Sequence, residues 1–335
     1  MDNSEADQRE DPGAAQHGNF PNYYSFHPPE TRTSLLPPGL LLELLRREGG
    51  LRETLLALDV GCNTGCGNRG SLTGGDGFTA DQNQCLPFCH ALQRDRHPVF
   101  GQPNQNSITN FFMKSVFGFH ARTVGVRLSI VLAILIYLPL FCLLQELSVA
   151  LFNHLMHPEG CSEALRSAHF MCCDIDPDLI TRAQSTNPHP DAITFCTLDI
   201  TEAPSLGSLY SYLDRFGQNS FHIGFCMSIT MWIHLNHGDR GLVEFLKRLK
   251  TMCDYLLIEP QPWKCYRSAA RRLRKLGRQD FDHFHMLSIH GDMEKEITKL
   301  MIEDGSSKLI HRFGTTSWDR SLLLFKMTRP SNFSV

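Results

Sequence analysis

The chain has 335 residues, of which 42% are hydrophobic and 20% are charged, and its formal net charge is −3. This composition is typical of a folded globular protein with room for one large domain or two ordinary ones. The small negative charge excludes a general electrostatic attraction to nucleic acids, so nucleic-acid binding would require a local basic patch, and we expect no DNA partner.

The first segment, residues 1–17, is polar and acidic, and we expect it to be a disordered N-terminus without a signal peptide. The 12 cysteines of the chain are scattered through apolar runs. Buried, reduced thiols in an intracellular protein are the simplest interpretation of this distribution. Cys85, Cys89 and His90 have side chains that bind metals, but no matching second pair follows them, and we predict no metal site.

The next feature is an apolar run from Leu55 to Leu58 that ends in Asp59, followed by a loop containing Gly61 and Gly65. This pattern is typical of a buried parallel strand that brings a glycine turn to a nucleotide-like ligand, with a helix after the loop. A strand followed by Gly-x-x-x-Gly also occurs as a tight turn that binds nothing. The remainder of the chain has to decide between the two interpretations.

Residues 66–145 differ from their flanks. Their first half is rich in Gly, Asn, Gln and Pro, and indicates disorder. Near their end, Leu128–Leu144 is a stretch of 17 residues without a charge, which is the lower limit for a membrane span. In a nucleotide-binding βαβ unit the acid of the second strand lies roughly 20 to 30 residues beyond the glycine loop. Asp174 lies 109 positions after Gly65, and removing the 80-residue segment reduces this distance to 29.

We therefore hypothesise that residues 66–145 are an insertion, such as a translated intron, and that Gly65 originally continued into a helix starting at Glu146. The following residues Leu147, Ala150, Leu151 and Leu155 have helical spacing. A single domain would then consist of residues 18–65 and 146–328, followed by a tail, 329–335. A membrane span at Leu128–Leu144 is the alternative interpretation, and without it we expect no membrane association.

Beyond the insertion, strands and helices alternate. The predicted strands are His169–Asp174, Ala192–Leu198, His222–Met227, Tyr255–Glu259, Lys308–Phe313 and Ser321–Met327. The predicted helices are Pro177–Gln184, Leu206–Phe216, Leu242–Met252 and Lys264–Leu276. The alternation indicates an α/β fold with a mostly parallel sheet, and the short link between the last two strands makes them an antiparallel hairpin. A Rossmann-like sheet with a C-terminal antiparallel hairpin is typical of class I methyltransferases, which use S-adenosylmethionine.

Acidic residues follow three of the predicted strands, at Asp59, at Asp174 and Asp176, and at Asp199. Ligands of doubly wound sheets bind beyond the carboxyl ends of the strands. An acid after the second strand can accept both ribose hydroxyls, and one after the third can accept an adenine amine. Asp176, before Pro177, also fits a helix N-cap, an interpretation that suits Asp174 and Asp199 less well. The three acids together favour a cofactor site.

Three stretches resemble the bicoid-interacting-protein family of RNA 5′-phosphate methyltransferases, and in particular its RNA 5′-monophosphate branch. They are Gly18–Arg32, Phe225–Asp239 and Ile258–Tyr266. The resemblance covers the chain from Gly18 to Lys326 apart from the insertion. It implies a cytoplasmic enzyme with S-adenosylmethionine as the methyl donor. It also implies an RNA 5′-monophosphate as the acceptor, in histidine tRNA and in microRNA precursors.

The resemblance also implies which residues contact the cofactor. Arg32 would hold the methionine carboxylate and Asn63 would approach the same part, whereas Asp174 would bind the ribose. The remaining contacts are Asp199 and Ile200 at the adenine and Met227 near the sulfonium. Because the insertion lies beside the glycine loop, the alternative is a catalytically impaired variant that acts only as an RNA-binding or membrane-associated protein.

The chemistry of the acceptor determines which catalytic and binding groups the enzyme needs. A 5′-monophosphate is already anionic at neutral pH, so we expect positioning of the reactants and no catalytic side chain. Recognition of RNA requires cations, and the helix over 264–276 has them on one face, opposite an apolar face; Gly277 is placed to end it. The predicted RNA contacts are Lys264, Arg267, Arg271 and Arg274. A solvated surface face is the alternative.

Two further groups of residues leave their roles open. Tyr23, Tyr24, Phe26 and Trp263 lie in proline-containing segments and would either stack on a terminal base or pack in the core. His234, His237, His283 and His285 have a spacing that permits a metal site, but no carboxylate partner is fixed. For His237 we favour a hydrogen bond to phosphate or the capping of a loop.

Overall fold

A mixed β-sheet is the framework of the part of the chain that the computed structural model describes, which is residues 16–18, 27–49, 51, 53–62, 147–157 and 165–328. Within these residues the sheet has seven strands in the order β3-β2-β1-β4-β5-β7-β6. The strands are β1 (Thr54–Val60), β2 (Ser167–Asp174), β3 (Ile193–Thr197), β4 (Phe221–Met227), β5 (Cys253–Glu259), β6 (Ser307–Thr315) and β7 (Ser321–Met327). Strands β1 to β5 pair in parallel, whereas β7 is antiparallel to both β5 and β6. The predicted class I methyltransferase architecture is confirmed.

The described residues also form helices. They are α1 (Pro29–Thr33), α2 (Pro38–Gly49), α3 (Leu147–Met156), α4 (Pro177–Thr186), α5 (Leu206–Asp214), α6 (Thr230–Met252), α7 (Trp263–Lys275) and α8 (Met293–Ile302). A short 3-10 helix, Phe284–Met286, follows α7.

Strand β1 shows why the sheet is covered on both faces. Leu55 and Ala57 belong to an apolar cluster with residues of α2 and α3. Leu56 and Leu58 belong to a second cluster with residues of α5 and α6. Successive side chains of a strand point to opposite faces, so a strand that is apolar at every position must be buried on both. The apolar run explains why β1 lies inside the sheet, between β2 and β4.

The predicted elements are present, and four helices were not fully predicted. Helix α3 has Leu147, Ala150, Leu151 and Leu155 buried, as its spacing indicates. The prediction started α6 at Leu242, although the helix begins at Thr230. It is kinked at Gly238, where φ is 69° and ψ is −173°. Helices α1, α2 and α8 were not predicted.

Several predictions fall on residues outside the described ones. These are the insertion 66–145 with Leu128–Leu144, most of the N-terminal segment 1–17, and the tail 329–335. The described strands and helices belong to one compact unit, formed by Met1–Asn68 and Leu144–Val335. The division of the chain into a domain and an insertion remains a prediction. No helix in the described ranges combines the length and the apolar character that crossing a membrane requires.

Most cysteines of the described residues lie in the core. Cys172, Cys173 and Cys226 are buried and Cys196 is half-buried, as their apolar surroundings predict. Burial raises the pKa of Cys173 and Cys226 well above the usual range. These thiols are therefore core side chains that stay protonated.

Candidate functional site

A cavity of about 320 Å³ opens at the carboxyl ends of β1, β2 and β4. Five of the six predicted cofactor residues line it, namely Arg32, Asp174, Asp199, Ile200 and Met227. The sixth, Asn63, lies outside the described residues. The residues come from four separate parts of the chain, and the parallel sheet brings them to one edge because the strands end there together.

The turn after β1 shapes one wall of the cavity. Gly61 has a φ of 70° and donates its backbone N–H to the Cys173 carbonyl at 2.8 Å. A Cβ atom at this position would lie 2.4 Å from Cδ1 of Ile229. Both the backbone conformation and the space therefore require glycine here. This confirms the prediction that β1 leads into a glycine turn at the cavity.

The acids after β2 and β3 are tied to the backbone that follows them. Asp174 is buried, and its Oδ1 accepts the N–H of Asp176 at 3.0 Å. Asp199 accepts the N–H of Thr201 at 2.8 Å and also its hydroxyl, so it caps a turn while it lines the cavity. Asp176 accepts the N–H groups of Asp178 and Leu179 and is the N-cap of α4, as expected.

Asp59, the acid near the end of β1, directly precedes Val60, which lines the cavity. It is buried and accepts a hydrogen bond from the Ser148 hydroxyl at 2.6 Å. Burial raises its pKa to about 6, although the Ser148 hydrogen bond opposes the rise and the carboxylate of Asp174 adds to it. The sequence predicted the position of this acid at a strand end, but not its burial.

Arg32 belongs to a buried ion pair that the sequence did not predict. Its Nε donates to Oε2 of Glu259 at 2.9 Å, its Nη2 donates to the Ser228 hydroxyl at 3.1 Å, and its Cζ lies 5.0 Å from the centre of the Trp318 ring. Arg320, from the turn between β6 and β7, approaches the other oxygen of Glu259 at 3.9 Å. Burial disfavours the Glu259 carboxylate, but the Arg32 and Arg320 guanidinium groups overcome this and lower its pKa. The Arg32 side chain is thereby fixed at the cavity.

Residues 16–18 form a further part of the cavity wall. Gly18 has a φ of 80°, and a Cβ atom there would lie 2.2 Å from the Trp232 indole. Asn236 donates to the Gln16 carbonyl at 3.1 Å, and His17 lines the cavity. The prediction placed Gln16 and His17 in a disordered N-terminus. The one signal for their role was their position directly before Gly18, where the family-like stretch begins.

Helix α7 presents the predicted basic face. Lys264, Arg267, Arg271 and Arg274 are exposed. Tyr266, Ala269, Ala270 and Leu273 are buried on the other side. Gly277, with a φ of 70°, follows the helix end as predicted. Two of the cations have acidic neighbours, since Lys264 pairs with Asp319 at 2.8 Å and Arg274 lies 3.8 Å from Asp280.

The aromatic and histidine side chains near α7 pack against each other. Trp263 stacks on Tyr266 and on Phe284, with ring centres 4.7 and 5.8 Å away, which favours the packing role over base stacking. Tyr23, Tyr24 and Phe26 lie outside the described residues.

His234 is buried between two partners, with Nε2 2.7 Å from Oδ1 of Asp239 and Nδ1 3.1 Å from the Tyr266 hydroxyl. Burial lowers its pKa despite the adjacent carboxylate, so it is a neutral bridge that donates to Asp239 and accepts from Tyr266. His237 lines the cavity instead. Within the described ranges, no three His, Cys, Asp or Glu side chains cluster as metal ligands would.

Comparison with known proteins identifies the class. Residues 221–327 match the family model described as Bicoid-interacting protein 3 (Bin3). The Pre-miRNA 5′-monophosphate methyltransferase of Xenopus laevis is 47% identical over 333 residues, which cover 98% of this chain and 99% of the relative. The human RNA 5′-monophosphate methyltransferase is 44% identical, over 94% of this chain and 82% of the relative. The chain belongs to this family of methyltransferases.

A relative from Danio rerio, also named Pre-miRNA 5′-monophosphate methyltransferase, is 39% identical over 96% of both chains. Among solved structures, a SAM-dependent methyltransferase from Methanosarcina mazei is 10% identical, with a TM-score of 0.36. The match covers 83% of this chain and 94% of that one.

Proposed function

We propose that the chain transfers a methyl group from S-adenosylmethionine to an oxygen of the 5′-monophosphate of RNA. The observation that carries the proposal is the cavity at the carboxyl edge of the sheet, where Arg32, Asp174, Asp199, Ile200 and Met227 meet. The names of the curated relatives supply the acceptor, since both the Xenopus and the human proteins are named for RNA 5′-monophosphate chemistry.

The residues present fit the cofactor. The cavity volume, about 320 Å³, lies in the range of small-molecule sites. The glycine turn at Gly61 lines the cavity, and a buried carboxylate at Asp174 suits two ribose hydroxyls. Arg32 lines the same cavity with a guanidinium group whose Nε already pairs with Glu259, so a ligand carboxylate would join an existing buried ion pair. When bound, S-adenosylmethionine supplies an electrophilic methyl group on a sulfonium.

The residues of the chain act by orienting the reactants and excluding water. A phosphate monoester has a second pKa of about 6 and attacks as an anion, so no side chain has to remove a proton. Met227, Ile229 and Ile233 provide an apolar wall beside the end of β4. Holding the acceptor oxygen, the methyl carbon and the sulfur in line lowers the barrier because the entropy of alignment is lost on binding and not in the reaction itself.

The basic face of α7 is proposed to hold the RNA backbone. Arg267, Arg271 and Arg274 are exposed on a helix that begins four residues after the end of β5, whose last residue, Glu259, belongs to the Arg32 cluster. Phosphate contacts of this kind position an RNA without reading its sequence. Histidine tRNA and microRNA precursors are the proposed substrates, and the cytoplasm is the proposed location.

Mass spectrometry of short RNAs tests the proposal. An oligonucleotide with a 5′-monophosphate, incubated with the chain and S-adenosylmethionine, should gain one or more methyl groups on its 5′-phosphate, which fragmentation of the 5′-terminal nucleotide would locate. The same oligonucleotide with a 5′-hydroxyl should remain unchanged. Methylation of both, or of neither, would contradict the proposed acceptor.

A further inference from the structure

We propose that Ser228 is a positioning residue for the methyl donor, an inference that rests on the proposed function. Its hydroxyl joins two arginines to one carboxylate, and this bridge holds the turn between β4 and α6 in the shape that forms the cavity wall. Ser228 lies directly after Met227 and lines the cavity.

The hydrogen-bonding capacity of the Ser228 hydroxyl is fully used. It donates to Oε2 of Glu259 at 2.7 Å and accepts from Nη2 of Arg32 at 3.1 Å. It also accepts from Nη1 of Arg320. A hydroxyl has one proton and two lone pairs, so the three partners saturate it. All four side chains are buried, which makes each of these charge-assisted bonds costly to lose.

The backbone of Ser228 has an unusual conformation. Its φ is 60°, a region that L-residues other than Asn and Asp seldom adopt. Such a conformation persists only where the surroundings impose it. Gln261 contributes from the other side, because its amide NH₂ donates to the Ser228 carbonyl and its Oε1 accepts the N–H of Met231 at 3.0 Å.

The turn at Ser228 positions two residues of the cavity wall, Ile229 and Trp232. The next residue, Ile229, covers Gly61, with Cδ1 at 2.4 Å from where a Cβ atom would be. The carbonyl of Ile229 then accepts the N–H of Trp232 at 2.9 Å, which starts α6 and brings Trp232 against Gly18. Reversal of the chain at Ser228 thus connects the wall formed by β4 to the wall formed by α6.

The chain offers a matched control at the opposite end of the same two strands. Ser220, just before β4, donates its hydroxyl to Asp254 of β5 at 3.0 Å, as Ser228 does to Glu259. The two serines are 8% and 7% exposed, so burial does not distinguish them. Ser220→Ala therefore measures the loss of a similar serine–carboxylate bond away from the cavity.

Hydrogen exchange of the ligand-free chain tests the bridge itself. In Ser228→Ala and in Ser228→Gly, the amides of Met231, Trp232 and Ile233 should exchange at least about tenfold faster, ~1.4 kcal/mol. The same amides should be unaffected in Ser220→Ala. Ser228→Gly adopts a positive φ without cost, so it separates the hydroxyl from the backbone. Unchanged exchange in both Ser228 variants would overturn the inference.

Calorimetric titration with S-adenosylhomocysteine tests the consequence for binding. The dissociation constant should rise about tenfold in both Ser228 variants and stay unchanged in Ser220→Ala. Faster exchange with unchanged affinity would reduce Ser228 to a structural role and overturn its positioning role. Absence of binding by the unsubstituted chain would instead contradict the proposed function, and the exchange result would still decide whether the hydroxyl holds the turn.

Discussion

Single side chains at the cavity edge decide both its shape and its electrostatics. Gly61 is the clearest case, because a φ of 70° and the Ile229 side chain both exclude a Cβ atom. Asp59 and Glu259 are both buried carboxylates, yet burial dominates and raises the pKa of the first, while two guanidinium groups lower that of the second. The surroundings, and not the residue type, therefore set the charge of each acid.

Gly61→Ala should weaken binding of S-adenosylhomocysteine by about tenfold or more, because the new methyl group collides with Ile229 and the backbone is strained. Adding Ile229→Val removes the colliding Cδ1 atom and should restore part of the affinity. Gly217 has a φ of 61°, but a Cβ atom there would meet nothing within 4 Å. Gly217→Ala therefore shows the effect of alanine at a positive φ without a collision. Calorimetry measures the affinity, and equal binding by Gly61→Ala would show that the cofactor does not need this turn.

Asp59→Asn should stabilise the fold at neutral pH. The pKa of Asp59 is about 6 in the folded chain and 3.8 in the reference state. Between these values the unfolded chain has lost the proton while the folded chain retains it, so the free energy of unfolding falls as pH rises. The loss amounts to at most ~3 kcal/mol above pH 6. Denaturant unfolding from pH 4 to pH 8 should show this decline in the unsubstituted chain and a flatter profile in the variant. If the free energy of unfolding declined equally in the variant and in the unsubstituted chain, Asp59 would be excluded as the source of the decline.

At the scale of elements, α7 joins a buried side with Tyr266 and Leu273 to a basic face. The reversal Arg271→Glu with Arg274→Glu should weaken binding of RNA. If two phosphate contacts are lost, the slope of log K against log salt should become less steep by about 1.4. Arg182→Glu, at a half-buried position of α4, serves as the control. Filter binding at several salt concentrations measures this slope. If the double variant retained the slope of the unsubstituted chain, the basic face of α7 would not contact RNA phosphates.

The elements also show what the sequence could predict. Strands β1, β4 and β5 are mostly apolar, and Pro177 after Asp176 marks the start of α4, so local patterns suffice for them. Helix α2 was predictable in the same way, because Leu41, Leu42 and Leu45 are buried on one side after Pro38, but this signal was missed. The first half of α6 was missed because Gly238 interrupts its periodicity.

The site was predictable only in part, because some of its contacts join distant segments. The acids at Asp174 and Asp199 follow from their places at strand ends. The bridge at Ser228 does not, since its partners Arg32 and Arg320 lie 196 and 92 positions away. A hydroxyl that is saturated by such partners has no local signature. Positive φ at Ser228 likewise follows from its tertiary surroundings, and not from its residue type.

At the scale of the whole molecule, the main untested hypothesis is that residues 66–145 are an insertion. If residues 66–145 interrupt an otherwise complete domain, deletion of this segment should give a folded chain in which Gly65 leads directly to Glu146. We expect that chain to bind S-adenosylhomocysteine at least as tightly as the full chain, because the described cavity residues lie outside the deletion. Calorimetry on both forms measures this. A deleted chain that unfolds or loses binding would show that the segment belongs to the domain.

The most direct measurement is a crystal structure of the chain with S-adenosylhomocysteine. We expect the ligand to lie across the carboxyl ends of β1, β2 and β4, with its ribose at Asp174, its adenine beside Asp199 and Ile200, and its carboxylate near Arg32. A ligand bound elsewhere, or bound in this cavity without touching these side chains, would show that this cavity is not the proposed cofactor site.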